Sequence, residues 1–247
     1  MRLDRGYYIS ALPSLGDLGT TPPMNAVELL DHLRPIPAVH QVVEALFLLD
    51  DVLQREAFLA GERQAVEPTV LTPAQARNEA PLPAELAVPS ESAARVAQVD
   101  GLWEAAFRHA DAVARERGNG FLTRWVAFEV ALRNALASAR AKRLKLDESQ
   151  YGVAVDLSDP RADLTQAVNE WLAASTPLAG LQALIRVRWA WVHEHDAWFS
   201  FRDDELAAYA AKLMLLHQWK RVADAEENGS ADTAMDEPSL SLERATR

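Results

Sequence analysis

Phe121, Trp125, Phe128, Leu132, Leu136 and Ala139 follow one another at intervals of three or four, giving a single apolar stripe at the period of an α-helix from Phe121 to Leu146. A second stripe, Val96, Val99, Leu102, Trp103, Ala106, Phe107, Ala110 and Val113, runs up to Gly118. Gly118-Asn119-Gly120 leaves room only for a short turn, so the two long helices are expected to pack antiparallel. That hairpin constrains the fold more than any other feature of the chain.

Similar signals place the other helices. Asn25 with Glu28 three residues on forms a capping box, and Pro35 and Pro37 end the short helix that follows. From Ala38 to Ala60 the residues Val39, Val42, Val43, Leu46, Leu49 and Leu53 mark a long helix, stopped by Gly61. The stretch from Glu62 to Pro89 carries Pro68, Pro73, Pro81, Pro83 and Pro89 and reads as an irregular connector with at most one helical turn after Thr72-Pro73. Ser90 and Glu91 open the next helix. After a loop from Asp147 to Pro160, a shorter helix holds Leu164, Val168, Trp171 and Leu172. Thr176-Pro177 starts another, and Asp203 caps the last, which bears Leu206, Tyr209, Leu213, Leu216 and Trp219. At the start of the chain, Tyr7, Tyr8, Ile9 and Leu12 favour an extended strand or a clasp across the helices. The expected fold is therefore an all-α bundle of long antiparallel helices with an extended N-terminal segment. Its expected divisions are 1–89, 90–224 and a disordered acidic tail over 225–247.

Composition narrows the chemistry. The 247 residues, 49% of them hydrophobic, can bury a core without staples, and the absence of cysteine removes disulfides, iron–sulfur clusters and thiol nucleophiles. Neither a phosphate-binding glycine loop nor a Gly-x-Ser-x-Gly elbow occurs. His193-Glu194-His195-Asp196 resembles a metal cluster, but residues two apart on a helix face different directions, so no metal or other cofactor is expected. The doublets Asp50-Asp51 and Asp203-Asp204 read as caps and solvated charge on exposed turns. The segment Val42 to Leu49 is too short to span a bilayer, and the first residues lack a signal-peptide pattern, so a soluble cytoplasmic protein without direct membrane insertion is expected.

A net charge of -11 disfavours nucleic acid as a partner. The charge is nevertheless uneven: Arg115, Arg117, Arg124, Arg133, Arg140, Lys142, Arg143 and Lys145 face only Glu116 and Glu129 between residues 115 and 145. Such a strip is either a solvated helix face or a docking patch for an acidic partner. Glu129 and Arg133 are spaced for an intrahelical pair. Alternatively Arg133 and Asn134 are partly buried and hold a neighbouring element, a reading that applies more strongly to Arg188 on its own helix's apolar stripe.

Three stretches carry a resemblance: Tyr7-Tyr8-Ile9-Ser10-Ala11-Leu12-Pro13-Ser14-Leu15; Phe121 to Leu144 with Trp125, Glu129, Leu132-Arg133-Asn134 and Arg140-Ala141; and Phe201 to Trp219. They resemble a bacterial family encoded among the subunits of V/A-type ATPases (V-type ATP synthases). The resemblance implies a non-catalytic subunit that binds other ATPase subunits, peripheral to the inner membrane through the complex. Its candidate role is that of the central-stalk connector, the helical socket between central shaft and membrane rotor ring, although that connector is longer and built of three similar units, whereas no clear internal repeat is found here. The partner-facing candidates are Arg115, Arg117, Arg124, Arg140, Lys142, Arg143 and Lys145. Two alternatives stand beside this reading: a transient assembly factor or regulator of that ATPase, and an enzyme with an unrecognised pocket between helices.

Overall fold

The helical signals recur in a computed structural model that describes residues 5–87 and 95–235. Among the described residues there are nine α-helices and no strand: α1 (Arg5–Ser10), α2 (Ala26–Leu33), α3 (Pro37–Leu59), α4 (Pro73–Ala76), α5 (Arg95–Arg117), α6 (Gly120–Leu144), α7 (Thr165–Ala173), α8 (Pro177–His195) and α9 (Asp203–Met235). The all-α bundle is thus the observed architecture. The expected start at Ser90 and Glu91 lies outside the described residues.

Local chemistry sets the boundaries. Asn25 Oδ1 accepts from Glu28 N at 2.8 Å while Glu28 Oε2 accepts from Asn25 N at 2.8 Å, closing the capping box of α2. Thr72 and Gln75 repeat that box on α4, and Thr176 caps α8. Asn119 Oδ1 takes Leu122 N at 2.8 Å, starting α6 directly after the turn, where Gly118 supplies a φ of +66°. Asp204, read from sequence as solvated charge, instead reaches back from α9 and accepts from Phe121 N at 3.1 Å, so one helix caps another.

α3 runs through the middle of the bundle, packed against α2, α5 and α9, while α6 lies against α5 and α9, and α8 between α7 and α9. Val39, Val43, Leu46 and Val52 of α3 share one core with Phe107 of α5, Phe121, Trp125 and Leu132 of α6, and Leu206 and Leu213 of α9. Residues from both sides of the expected boundary at 89 therefore meet in the same apolar cluster. On α3 the buried position is Val52, and Leu53, placed on the stripe from sequence, is exposed.

Two expectations are corrected. Tyr7, Tyr8 and Ile9 lie in α1 rather than in an extended strand, because aromatic strand propensity needs a partner strand to express itself. Ser10 Oγ donates to Gly6 O at 2.8 Å within that short helix, and Tyr8 sets its ring edge-on to His32. The clasp reading holds for the segment between α1 and α2: Tyr209 Oη donates to Pro13 O at 2.8 Å and His217 Nε2 lies 3.0 Å from Met24 O, so this segment crosses α9. At the other end, α9 continues through 225–235, where a disordered tail is expected; extending an existing helix adds one hydrogen bond per ordered residue without a new nucleus. The remainder, 236–247, lies outside the described residues.

Candidate functional site

The basic strip divides into two patches. Arg115, Arg117 and Arg124 are exposed at the α5–α6 turn, and Arg140, Lys142, Arg143 and Lys145 are exposed at the far end of α6. At 1.5 Å per residue, Arg124 and Arg140 stand about 24 Å apart along the axis. Arg115 pairs with Asp111 at 2.6 Å, Arg117 with Glu116 at 3.1 Å and Lys142 with Glu148 at 3.3 Å. Arg140 holds its guanidinium 5.5 Å from the Trp171 ring. Lys145 ends the helix in the left-handed conformation with φ 57°, where cations also suit the helix dipole.

Arg133 leaves the strip between these patches. Its guanidinium lies over the Trp103 ring at 4.7 Å and reaches Asp100 at 3.4 Å and Glu56 at 3.8 Å, while Trp103 Nε1 donates to Glu56 at 2.5 Å. Glu129 consequently pairs not with Arg133 but with Arg188, whose Nε and Nη2 donate to its two oxygens at 2.6 and 2.9 Å. This fork joins α6 to α8. Asn134 donates to Val153 O and accepts from Val153 N, both at 2.9 Å, and so fastens the loop after α6. Beside them Trp125, 1% exposed, packs among Phe121, Phe128 and Trp191. Glu129, Arg133, Asn134 and Arg188 are all joints between elements, at positions where breaking one partner leaves a poorly solvated charge or amide.

A larger polar seam escaped sequence reasoning. Asp50 and Asp51, expected on an exposed turn, lie inside α3 at 7% and 0% exposure. Asp50 accepts from Gln218 at 2.8 Å and Arg221 at 2.6 Å, tying α3 to α9. Asp51 accepts three consecutive backbone N–H groups, Thr69, Val70 and Leu71, at 2.8, 2.7 and 2.8 Å. Burial pushes its carboxyl up to about 7, outweighing the three donors that pull the other way. Gln54 exchanges bonds with the backbone of Glu67, and Arg55 donates to Gln75 O and, at 2.6 Å, to Asn78 Oδ1. The proline-rich connector is thus strapped onto α3 by side chains that read its main chain. The available signal was the i, i+4 spacing of Asp50 with Gln54 and Asp51 with Arg55 within one helical pattern.

A second irregular segment, 196–202, joins α8 to α9. Trp198 and Phe199 are each 69% exposed and Phe201 is 51% exposed. Phe199 and Phe201 adopt left-handed φ values of 58° and 51°, and Glu205, 8% exposed, accepts their backbone N–H groups at 3.1 and 2.8 Å. Sequence reasoning singled out none of these rings as a surface.

The histidine pair is spent locally. His193 packs edge-on to Trp189, His195 stacks 4.0 Å from Trp191 with Nδ1 near its carbonyl, and Asp196 is ion-paired with Lys212. Among the described residues no group of three His, Asp or Glu side chains is placed to hold a metal, and no helix is long and apolar enough to cross a membrane. A groove of about 410 Å³ lies between α2 and α3, lined by Leu30, Asp31, Arg34, His40 and Glu44, in which Arg34 pairs with Asp31 and His40 with Glu44. Comparison with known proteins finds no matching family model, no matching curated protein and no matching solved structure.

Proposed function

We propose that this chain is a non-catalytic docking subunit of a V/A-type rotary ATPase, bound through the cationic end of α6. The observation that carries the docking reading is the cluster Arg140, Lys142, Arg143 and Lys145, exposed together at one helix end on a chain of net charge -11. The ionisable groups of the interior are meanwhile engaged in joints: Glu129 with Arg188, Asp50 with Arg221, Asp196 with Lys212 and Asp51 with the strap. The ATPase as partner comes from the resemblance of residues 7–15, 121–144 and 201–219, and a connector between central shaft and rotor ring is its most specific form.

The test is co-purification with tagged ATPase subunits and its response to charge reversal. Arg140→Glu, Lys142→Glu and Arg143→Glu together should slow association and flatten its salt dependence while the fold is retained, with only a modest fall in melting temperature from the lost Lys142–Glu148 and Arg140–Trp171 contacts and the helix dipole. Recovery of every other ATPase subunit without this chain would reject the subunit reading. Association during assembly followed by loss from the finished complex would identify an assembly factor.

A further inference from the structure

The loop 196–202 holds three large rings in solvent by means of a backbone that resists doing so. Left-handed φ values are unfavourable for residues bearing a bulky side chain, yet Phe199 and Phe201 both adopt them. Glu205, in the first turn of α9, fixes that backbone through the N–H groups of both residues. Trp198 is steadied from below by Lys212, whose ammonium lies 5.8 Å from its ring and is itself paired with Asp196. The backbone that carries the rings is therefore preorganised outward, which lowers the ordering cost when something covers them.

We propose that this loop docks the protein onto a lipid bilayer interface, with Trp198, Phe199 and Phe201 entering the headgroup region. Three arguments select a bilayer over a protein surface. The first is area: with 150–250 Å² per ring, the exposed parts sum to roughly 400 Å², about half of the ~800 Å² per partner that a stable protein–protein contact requires. The second is shape. Rings exposed side by side on a short loop need a matching pocket in a protein, whereas a deformable interface accepts them wherever they arrive. The third is composition, since Trp is enriched at headgroup level, Trp and Phe together line the apolar faces of interfacial segments, and Arg202 beside them can reach phosphate.

Charge places a limit on the mode. Arg202 and, at the same end of the bundle, Arg124 are exposed, the latter in the α6 turn that Asp204 of α9 caps. Against them stands a net charge of -11, which opposes approach to an anionic membrane. Binding should therefore be dominated by ring insertion, which salt does not screen. The inference is independent of the ATPase reading, because vesicles contain no ATPase.

The test uses the full chain with phosphatidylcholine vesicles, and with mixed phosphatidylcholine–phosphatidylglycerol vesicles, at millimolar lipid. Wild type should co-sediment with both, persist at high salt, and have part of its tryptophan emission quenched by bromine-substituted acyl chains. Phe199→Gly with Phe201→Gly removes two rings and relieves both left-handed residues, so folding should be retained while partitioning falls about tenfold. Trp198→Ser should lower partitioning and remove the quenched emission. Wild type remaining in the supernatant with both vesicle types, as expected if the rings serve a protein partner, would overturn the proposal. So would binding lost at high salt, or glycine variants that sediment as well as wild type.

Discussion

The connector between α3 and α5 and the loop between α8 and α9 solve one problem in the same way and then diverge. Each is an irregular segment whose backbone N–H groups cannot pair within a helix, and each hands them to a carboxylate on an adjoining helix. Asp51 takes Thr69, Val70 and Leu71; Glu205 takes Phe199 and Phe201. The connector then turns Leu71, Ala76 and Leu86 into the core, so its fastening adds apolar burial to the fold. The loop turns Trp198, Phe199 and Phe201 out. A carboxylate that orders backbone is thus neutral as to purpose, and the destination of the side chains separates a segment built for stability from one kept for contact.

The sharpest way to break this comparison is to remove the two carboxylates in turn. Asp51→Ala strands three N–H groups in a buried setting, and an unsatisfied buried donor costs about 1–3 kcal/mol. The loss is bounded by peeling of the strap, so on the order of 3 kcal/mol is expected in chemical denaturation, with amide exchange at Thr69, Val70 and Leu71 accelerated first. Glu205→Ala should cost on the order of 1 kcal/mol, because its loop contributes little to the core and its freed N–H groups can reach water. Equal losses at both sites would show that the loop, too, is structural.

Acidity offers a graded probe of the same seam. With Asp51 pushed up to about 7 from 3.8, the folded chain holds a proton between those values that the unfolded chain has released. Stability from this group is therefore greatest at the acid end, declines as pH rises through that window by at most about 1.4 kcal/mol per unit, and is level above about 7. His217 and His193, pushed down chiefly by burial, act in the opposite sense, since below 6.5 the unfolded chain takes up protons that they refuse. A carboxyl ¹³C titration separates the contributions. Asp51 should show a midpoint near 7, and a midpoint near 4 would mean that the three N–H donors fully offset burial.

Helices were legible because their signals are local. Capping boxes at Asn25 and Thr72, the turn at Gly118 and the stripe from Phe121 to Ala139 each depend on residues within a few positions of one another. What was not legible depends on partners far along the chain. Glu129 finds Arg188 rather than nearby Arg133 because Trp103 and Asp100 draw Arg133 toward α5. Asp50 and Asp51 look solvated until α9 and the connector close over them, 168 and 18–20 residues distant. Tyr7 and Tyr8 misled for the opposite reason, since their intrinsic preference for strand had no partner to meet it. The rings of the loop 196–202 carried no signal, because three aromatics in sequence look the same whether buried or displayed.

The smallest expected effect compares one left-handed residue from each segment. Asn78, at φ 63°, sits in the strap and its Oδ1 accepts from Arg55; Phe201, at φ 51°, sits in the loop and contributes its backbone to Glu205. Glycine adopts either backbone without strain, so both substitutions remove the same kind of conformational penalty, offset in part by the greater freedom of glycine in the unfolded chain. At Phe201 little else is lost, because the side chain is half exposed and the N–H donated to Glu205 remains. Phe201→Gly should therefore leave stability within a few tenths of a kcal/mol or raise it slightly. At Asn78 the gain is opposed by loss of a charge-assisted hydrogen bond from an arginine that already has a buried Nε without a partner, and such bonds are worth about 1.5–3 kcal/mol. Asn78→Gly should lower stability by about 1 kcal/mol after strain relief is subtracted. Thermal denaturation of the two variants side by side measures the difference. A loss at Asn78 with no loss at Phe201 would mark the strap as a closed structural joint and the loop as a display, whereas a comparable loss at Phe201 would place its ring in the fold and weaken the case for interfacial docking.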